Sequence, residues 1–188
     1  MLSLILALQL NTLTIQLSVV ALILAATYPF MKRVHMLPQV HLGVAFAWAI
    51  PMAHSALTNT TPDLSNWLVF ITAIIWTTAY DTMYGMADKE DDVKLGLKST
   101  AILFGENDKT IVGLLQLAVI ICLALVGVVT SLGIIYYLSV IIASGFFVYQ
   151  QYLIRDRDRL LCFQAFLNNN WVGMIIFIGL ALDYWLLA

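Results

Sequence analysis

An all-α bundle of membrane-spanning helices is the fold class the sequence predicts, and three observations predict it. Of 188 residues, 62% are hydrophobic and 11% charged, too little polar surface to cover a soluble globule of that size. Six stretches approach the roughly 20 mostly apolar residues that a spanning helix needs. The nine basic residues all fall in alternate connections between those stretches, as the positive-inside rule requires. The interruptions are breakers and caps, so 1–188 reads as a single transmembrane domain with the lipid bilayer as its solvent.

The elements follow in order. LSLILALQL supplies nine largely apolar residues, which at ~1.5 Å rise reach ~14 Å, about half of a hydrocarbon core. A cleaved signal sequence needs a basic start and a small-residue cleavage site, and neither is present. The polar QLNT that follows argues against one long helix from 2 to 30. The segment therefore reads as the rear half of a span whose front is missing. Full spans are expected at about 12–30, 38–57, 66–87, 110–130, 133–153 and 165–187, separated by MKRVHM, TNTTPDLS, the acidic stretch with its tail, SLG and RDRDR.

Lys32, Arg33, Lys89, Lys94, Lys98, Lys109, Arg155, Arg157 and Arg159 mark one side of this arrangement. The connections around 58–65 and 131–132 contain no Lys or Arg, and Trp67, Tyr136, Tyr137, Tyr184 and Trp185 near those ends read as an interfacial belt. The basic side is expected to face the cytoplasm and the C-terminus to face outward. A net charge of −2 confined to loops gives no sign of a nucleic-acid partner. Cys122 and Cys162 have no metal-like spacing, and His35, His41 and His54 no ligand spacing. RDRDR reads as a solvated loop that fixes topology.

The stretch from Tyr80 to Lys98, YDTMYGMADKEDDVKLGLK, places five acids and three lysines in nineteen residues at the end of an apolar run. At about 100° per residue, Asp81, Asp88 and Asp92 lie within about 20° of a common line, with Tyr84 on the same face and Asp91 beside it. Such a carboxylate stripe requires a cation. Lys89, Lys94 and Lys98 could neutralise it structurally. A divalent metal is the stronger expectation, because Asp81 lies well up the span, where an ionisable residue is functional by default. Mg2+ takes one or two carboxylates, keeps several waters and shares its other positions with substrate phosphates, so a diphosphate is the implied ligand. Lys94 and Lys98, four residues apart, are candidates to hold its oxygens from a closing loop.

YDTMYGMADKEDDVKLGLKSTAILFG, together with YPFMKR at 28–33, LPQVHLG at 37–43 and NNNWVG at 168–173, closely resembles the UbiA superfamily of intramembrane prenyltransferases, and within it the bacterial branch acting on 4-hydroxybenzoate in ubiquinone biosynthesis. The resemblance implies a nine-helix enzyme of the bacterial inner membrane that binds a polyprenyl diphosphate through two Asp-rich motifs and Mg2+. It would join the polyprenyl group to the ring of 4-hydroxybenzoate, ortho to the hydroxyl. It implies that Asp81, Asp88 and Asp92 are catalytic and ligate Mg2+, and that Tyr28 and Lys32 border the diphosphate. The family's first motif, of the NDxxDxxxD kind, occurs nowhere in these residues. The chain resembles the C-terminal two thirds of the family, beginning within what would be its third helix, so the missing helices are expected partners of a complete site.

Other residues are candidates by their own chemistry. Arg33 suits a phosphate or the acceptor carboxylate through paired hydrogen bonds, beside its topogenic role. Trp76, Tyr80 and Tyr84 recur every four residues and could stabilise a carbocation, although such a stripe is more often packing. Asn168, Asn169 and Asn170 are costly toward lipid, so they are expected to turn inward, bonding neighbouring helices ahead of any substrate. Two other functions stay open: a proton or ion pathway through Asp81, and a non-catalytic membrane subunit or remnant.

Overall fold

The computed structural model describes residues 2–187. Helices and short turns account for every regular element, with no strand among the described residues. Helix α1 (Leu2–Ala7) ends in a turn, and α2 (Thr12–Thr27) starts at Asn11, whose side-chain oxygen accepts the Thr14 N–H at 2.9 Å. The QLNT break is therefore a helix cap. Its amide also donates to the Ser55 carbonyl at 2.6 Å, tying this end of α2 to a later helix. The far end of α2 narrows into a 3-10 turn over Tyr28–Phe30, where Pro29 stands, and resumes as the short α3 (Met31–Val34).

The expected span at 38–57 forms as two helices, α4 (Pro38–Ala47) and α5 (Ala49–Thr58), divided at Trp48. Pro51 is the physical cause, because it has no N–H to donate to the Ala47 carbonyl one turn back. Close approach of α4 to the helix at 64–94 depends on Gly43, where a Cβ would lie 3.0 Å from the Ile74 carbonyl oxygen.

Asp63 caps α6 (Leu64–Lys94), accepting from the Asn66 N–H at 2.9 Å and the Ser65 hydroxyl at 2.7 Å. These bonds hold its carboxyl well below the usual carboxylate range. At 31 residues α6 is the longest helix and continues past the predicted end at 87. Its ~46 Å exceeds a hydrocarbon core of ~30 Å, so its charged last turns can reach beyond the apolar layer. Gly96, at φ +66°, ends this run, and the Leu97 N–H turns back to the Asp92 carbonyl at 2.8 Å.

The remaining helices are α7 (Thr100–Phe104), α8 (Asp108–Val129), α9 (Ile134–Leu153) and α10 (Arg159–Leu187). Central α6 packs on α4, α8 and α10, and α10 packs most extensively on α9. Five segments are long and apolar enough to cross a membrane: Thr12–Val34, Pro38–Thr58, Thr100–Val129, Ile134–Asp156 and Arg159–Leu186. The sixth expected span lies in α6, which is long enough but more polar than these five.

Side chains join the connections at each end of the bundle. At the charged end the Lys98 ammonium donates to the Val34 carbonyl at 2.9 Å, Lys109 to the Arg155 carbonyl at 2.7 Å and Arg157 to Asp108 at 2.9 Å. At the opposite end buried Asp183 accepts the Gly133 and Tyr136 N–H groups at 2.6 and 3.2 Å, capping α9 from α10. Between them an amide ladder crosses three helices. Gln151 donates to Gln116 at 2.9 Å, Gln116 to Gln150 at 2.8 Å and Gln150 to Asn168 at 3.0 Å. Inside a membrane such bonds set the rotation of each helix, because the alternative is an unpaired amide in hydrocarbon.

Candidate active site

A cavity of about 770 Å³ opens between α4, α5, α6 and α10. From α6 it receives Ala73, Trp76, Thr77, Tyr80 and Asp81, the i, i+3, i+4, i+7, i+8 stripe of one helix face. Leu42, Phe46, Ala47 and Ile50 line the facing side, Phe166, Leu167, Asn169 and Asn170 come from α10, and Tyr28 reaches in from the 3-10 turn. The lining is mostly apolar. Asp81 is its ionisable group, and among the described residues it has no hydrogen-bond or ion-pair partner. Polar at one end and apolar along its length, the cavity suits an amphiphile with a charged head.

The other carboxylates lie on the same helix beyond Asp81. Asp92 is buried at 4% exposure and receives the Lys32 ammonium on both oxygens, at 3.1 and 3.3 Å. Asp91 receives Arg159 at 2.9 Å and Lys94 at 3.7 Å, and Asp88, beside Tyr84 one turn back, meets Arg159 at 3.9 Å. Tyr84 packs edge-on against Phe163 and Phe166 at 6.0 and 5.2 Å between ring centres, and Tyr80 meets Phe166 at 5.9 Å. Helix α10 is thus the second wall along the whole stripe. Only Asn168, Asn169 and Asn170 pointed to it in the sequence.

The predicted residues divide into those brought together and those held apart. Tyr28 and Asp81 share the cavity, while Lys32, one turn beyond Tyr28, reaches the stripe at Asp92. Arg33 is exposed, with no partner among the described residues. The three lysines weighed as neutralisers do not serve the Asp81–Asp88–Asp92 line. Lys89 turns away to Asp108 at 3.2 Å and the Gly105 carbonyl at 3.1 Å, Lys94 pairs with half-exposed Asp91, and Lys98 anchors the Val34 carbonyl. The cations that do serve it are Lys32 and Arg159. RDRDR is solvated as expected at Arg155, Asp156, Asp158 and Arg159, but it does more than fix topology, since Arg157 turns in to buried Asp108 and Arg159 reaches the stripe. No alternation or spacing in RDRDR distinguishes these two arginines from topogenic ones.

Two of the three asparagines bond as expected, whereas Asn170 lines the cavity, is exposed and makes no hydrogen bond among the described residues. Asn168 accepts from Gln150, and Asn169 accepts the Trp76 indole N–H at 2.9 Å while donating to the Ala165 and Phe166 carbonyls at 3.0 and 3.2 Å. Among the described residues no three His, Cys, Asp or Glu side chains converge as a preformed metal cluster. The donor set still fits a hard divalent ion, because among the described residues Asp81 makes no hydrogen bond or ion pair and the cation nearest Asp88 stands 3.9 Å away, and such an ion needs one or two carboxylates with water completing its shell.

Comparison with known proteins agrees with this architecture. The sequence profile of the UbiA prenyltransferase family matches residues 1–179. A 4-hydroxybenzoate octaprenyltransferase from Escherichia fergusonii is 56% identical over 185 residues, covering 98% of this chain and 63% of that protein. The Tolumonas auensis protein of the same name is 57% identical over 174 residues, covering 93% of this chain and 60% of its own. This chain therefore spans less than two thirds of the length of these relatives. Among solved structures, an apo UbiA homologue from Aeropyrum pernix superposes with a TM-score of 0.80 at 26% identity, over 95% of this chain and 66% of that one. A digeranylgeranylglyceryl phosphate synthase shares the fold at 16% identity, with a TM-score of 0.75 over 96% of this chain and 64% of the other. On the strength of the profile match and these identities, the chain belongs to the UbiA prenyltransferase family.

Proposed function

We propose that this chain carries the prenyl-donor half of a 4-hydroxybenzoate polyprenyltransferase of the bacterial inner membrane, with the charged end of the bundle at the cytoplasmic face. The observation that carries the reading is the cavity with a partnerless Asp81 at one end and an apolar lining beyond it. A polyprenyl diphosphate has that same division. The names of the relatives supply the acceptor, 4-hydroxybenzoate.

In this reading Asp81, Asp88 and Asp92 would hold Mg2+, and Lys32, which pairs with Asp92, would serve a phosphate oxygen. Bound there, Mg2+ supplies electrostatic stabilisation of the departing diphosphate. Lys32 and Arg33 add positive charge at the same end, Lys94 at the last residue of α6 and Lys98 in the connection after it would turn from Asp91 and the Val34 carbonyl to the diphosphate, and Tyr28 and Tyr84 flank the reacting carbon. The allylic carbon–oxygen bond breaks and its electron pair leaves with the diphosphate. The ring carbon ortho to the acceptor hydroxyl forms the new carbon–carbon bond, and loss of the ring proton restores aromaticity. The protein's work is chiefly to orient the partners and to keep water from the cation. A second set of carboxylates, the family's first Asp-rich motif, is assigned to helices outside these 188 residues.

An ion pathway is disfavoured because the carboxylates other than Asp81 gather at the bundle ends, not across it. To test the enzyme reading, membranes carrying the chain, alone and co-expressed with the N-terminal portion of the Escherichia fergusonii relative, are assayed for prenylated 4-hydroxybenzoate. Product that appears with Mg2+ and vanishes with a chelator is expected. Its absence from both preparations overturns the reading.

A further inference from the structure

Trp76 forms a wall of the cavity held from two sides. Its indole N–H donates to the Asn169 oxygen at 2.9 Å, and Asn169, 8% exposed, is itself tied to two carbonyls of its own helix. The far edge of the ring lies over Gly173, where a Cβ would stand 3.3 Å from Cη2. The next residue back on α10, Asn168, accepts from buried Gln150 and so fixes the rotation that turns Asn169 toward α6. The indole can neither pivot about its nitrogen end nor slide toward α10. Along α6 it lies five residues from Asp81, a rise of ~7.5 Å, just where the first isoprene units of a donor held at Asp81 must pass.

We infer that Asn169 is a positioning residue: it pins Trp76 as a rigid wall, and this pair governs recognition of the prenyl chain separately from the carboxylates that bind the diphosphate. The inference rests on the cavity being the donor site. A fixed aromatic surface binds an apolar chain without losing side-chain freedom at the moment of binding, whereas a loose indole must be ordered each time.

The test measures binding of inorganic diphosphate and of farnesyl diphosphate, each with Mg2+, to the 188-residue chain in lipid nanodiscs. Asn169→Ala and Trp76→Phe are each expected to weaken farnesyl diphosphate about tenfold while leaving inorganic diphosphate within about twofold. The double variant should be no worse than the weaker single one, because both substitutions remove one hydrogen bond. Gly173→Ala, which displaces the ring from its other edge and leaves Asn169 in place, should repeat the selective loss. Proton exchange at the Trp76 indole N–H should quicken in Asn169→Ala, a change that general loosening of α10 without this bond does not produce. Retained binding of inorganic diphosphate certifies that each variant is folded. Unchanged farnesyl affinity in Asn169→Ala, additive losses in the double variant, or parallel loss of both ligands in all variants overturns the inference alone. A wild-type chain that binds no farnesyl diphosphate overturns the donor reading and the inference with it.

Discussion

Asp108 is fully buried and receives hydrogen bonds from Lys89, Arg157 and the Lys109 backbone, whereas Asp81 faces a cavity and has no protein partner among the described residues. Both are aspartates toward the charged end of one bundle, Asp108 between Glu106 and Lys109 and Asp81 seven residues before the acidic run that starts at Asp88. The difference is in coordination. The oxygens of Asp108 are already committed to Lys89 at 3.2 Å and Arg157 at 2.9 Å, so that carboxylate has little capacity left for a ligand. Those of Asp81 are available. A carboxylate's function is thus legible from what it still lacks, more than from how many acids surround it.

The largest effect expected from breaking this contrast is on the structural member. Asp108→Ala leaves Lys89 and Arg157 facing a buried site without their acceptor, and should destabilise the chain by about 3 kcal/mol, the low end for a broken buried pair because both cations can still reach solvent. Thermal unfolding in lipid nanodiscs measures it. A loss below about 0.5 kcal/mol, the scatter of ordinary surface changes, removes the distinction between the two aspartates.

Asp81, the member proposed to bind the ligand, should respond the other way. Asp81→Asn keeps shape and removes charge from a group with no partner to orphan, so stability should stay within about 0.5 kcal/mol. Mg2+-dependent binding of a prenyl diphosphate should instead fall about 100-fold, of the order seen when one preorganised electrostatic group is deleted. Equal binding by Asp81→Asn and wild type makes Asp81 a bystander and shifts the head-group site toward Asp88.

Gln150→Leu tests the frame that joins these regions. It orphans the Gln116 amide and the Asn168 oxygen at once, and should cost about 1–2 kcal/mol, as measured for hydrogen bonds in membrane interiors. Its effect on ligand should appear for the prenyl chain and not for inorganic diphosphate, since the carboxylates lie on α6 and the ladder acts through α10.

Hydropathy and charge placement made the bundle legible because a bilayer imposes length and sidedness on any spanning helix. The stripe was legible because helical phase is a property of spacing alone, and α6 continues through Lys94 as that phase requires. What escaped was pairing across long separations. Lys32 meets Asp92 from 60 residues away, and no local pattern says that Lys32 rather than nearby Lys89 is the partner. Arg157 and Arg159 were hidden for the same reason, since a loop arginine that fixes topology and one that completes a buried cluster are written identically. The division of the second span at Trp48 was not read from the sequence, where 38–57 is expected as one span, although Pro51 and its missing N–H account for it.

The smallest effect concerns Arg159, which touches the carboxylate stripe from the first residue of α10, two residues beyond the Arg157 of the structural cluster. Its guanidinium is 63% exposed and pairs with half-exposed Asp91 at 2.9 Å. An ion pair that open to solvent is worth at most about 0.5 kcal/mol, so Arg159→Gln should leave unfolding nearly unchanged. Removing that cation also relieves competition at Asp88, 3.9 Å away. Mg2+ should then bind about twofold more tightly, a gain that shrinks as salt screens the exposed charge. Titration of Mg2+ at two ionic strengths measures both. Weaker Mg2+ binding in Arg159→Gln would mean that the arginine orients Asp88 for the metal, placing it with the functional carboxylates and not with the frame.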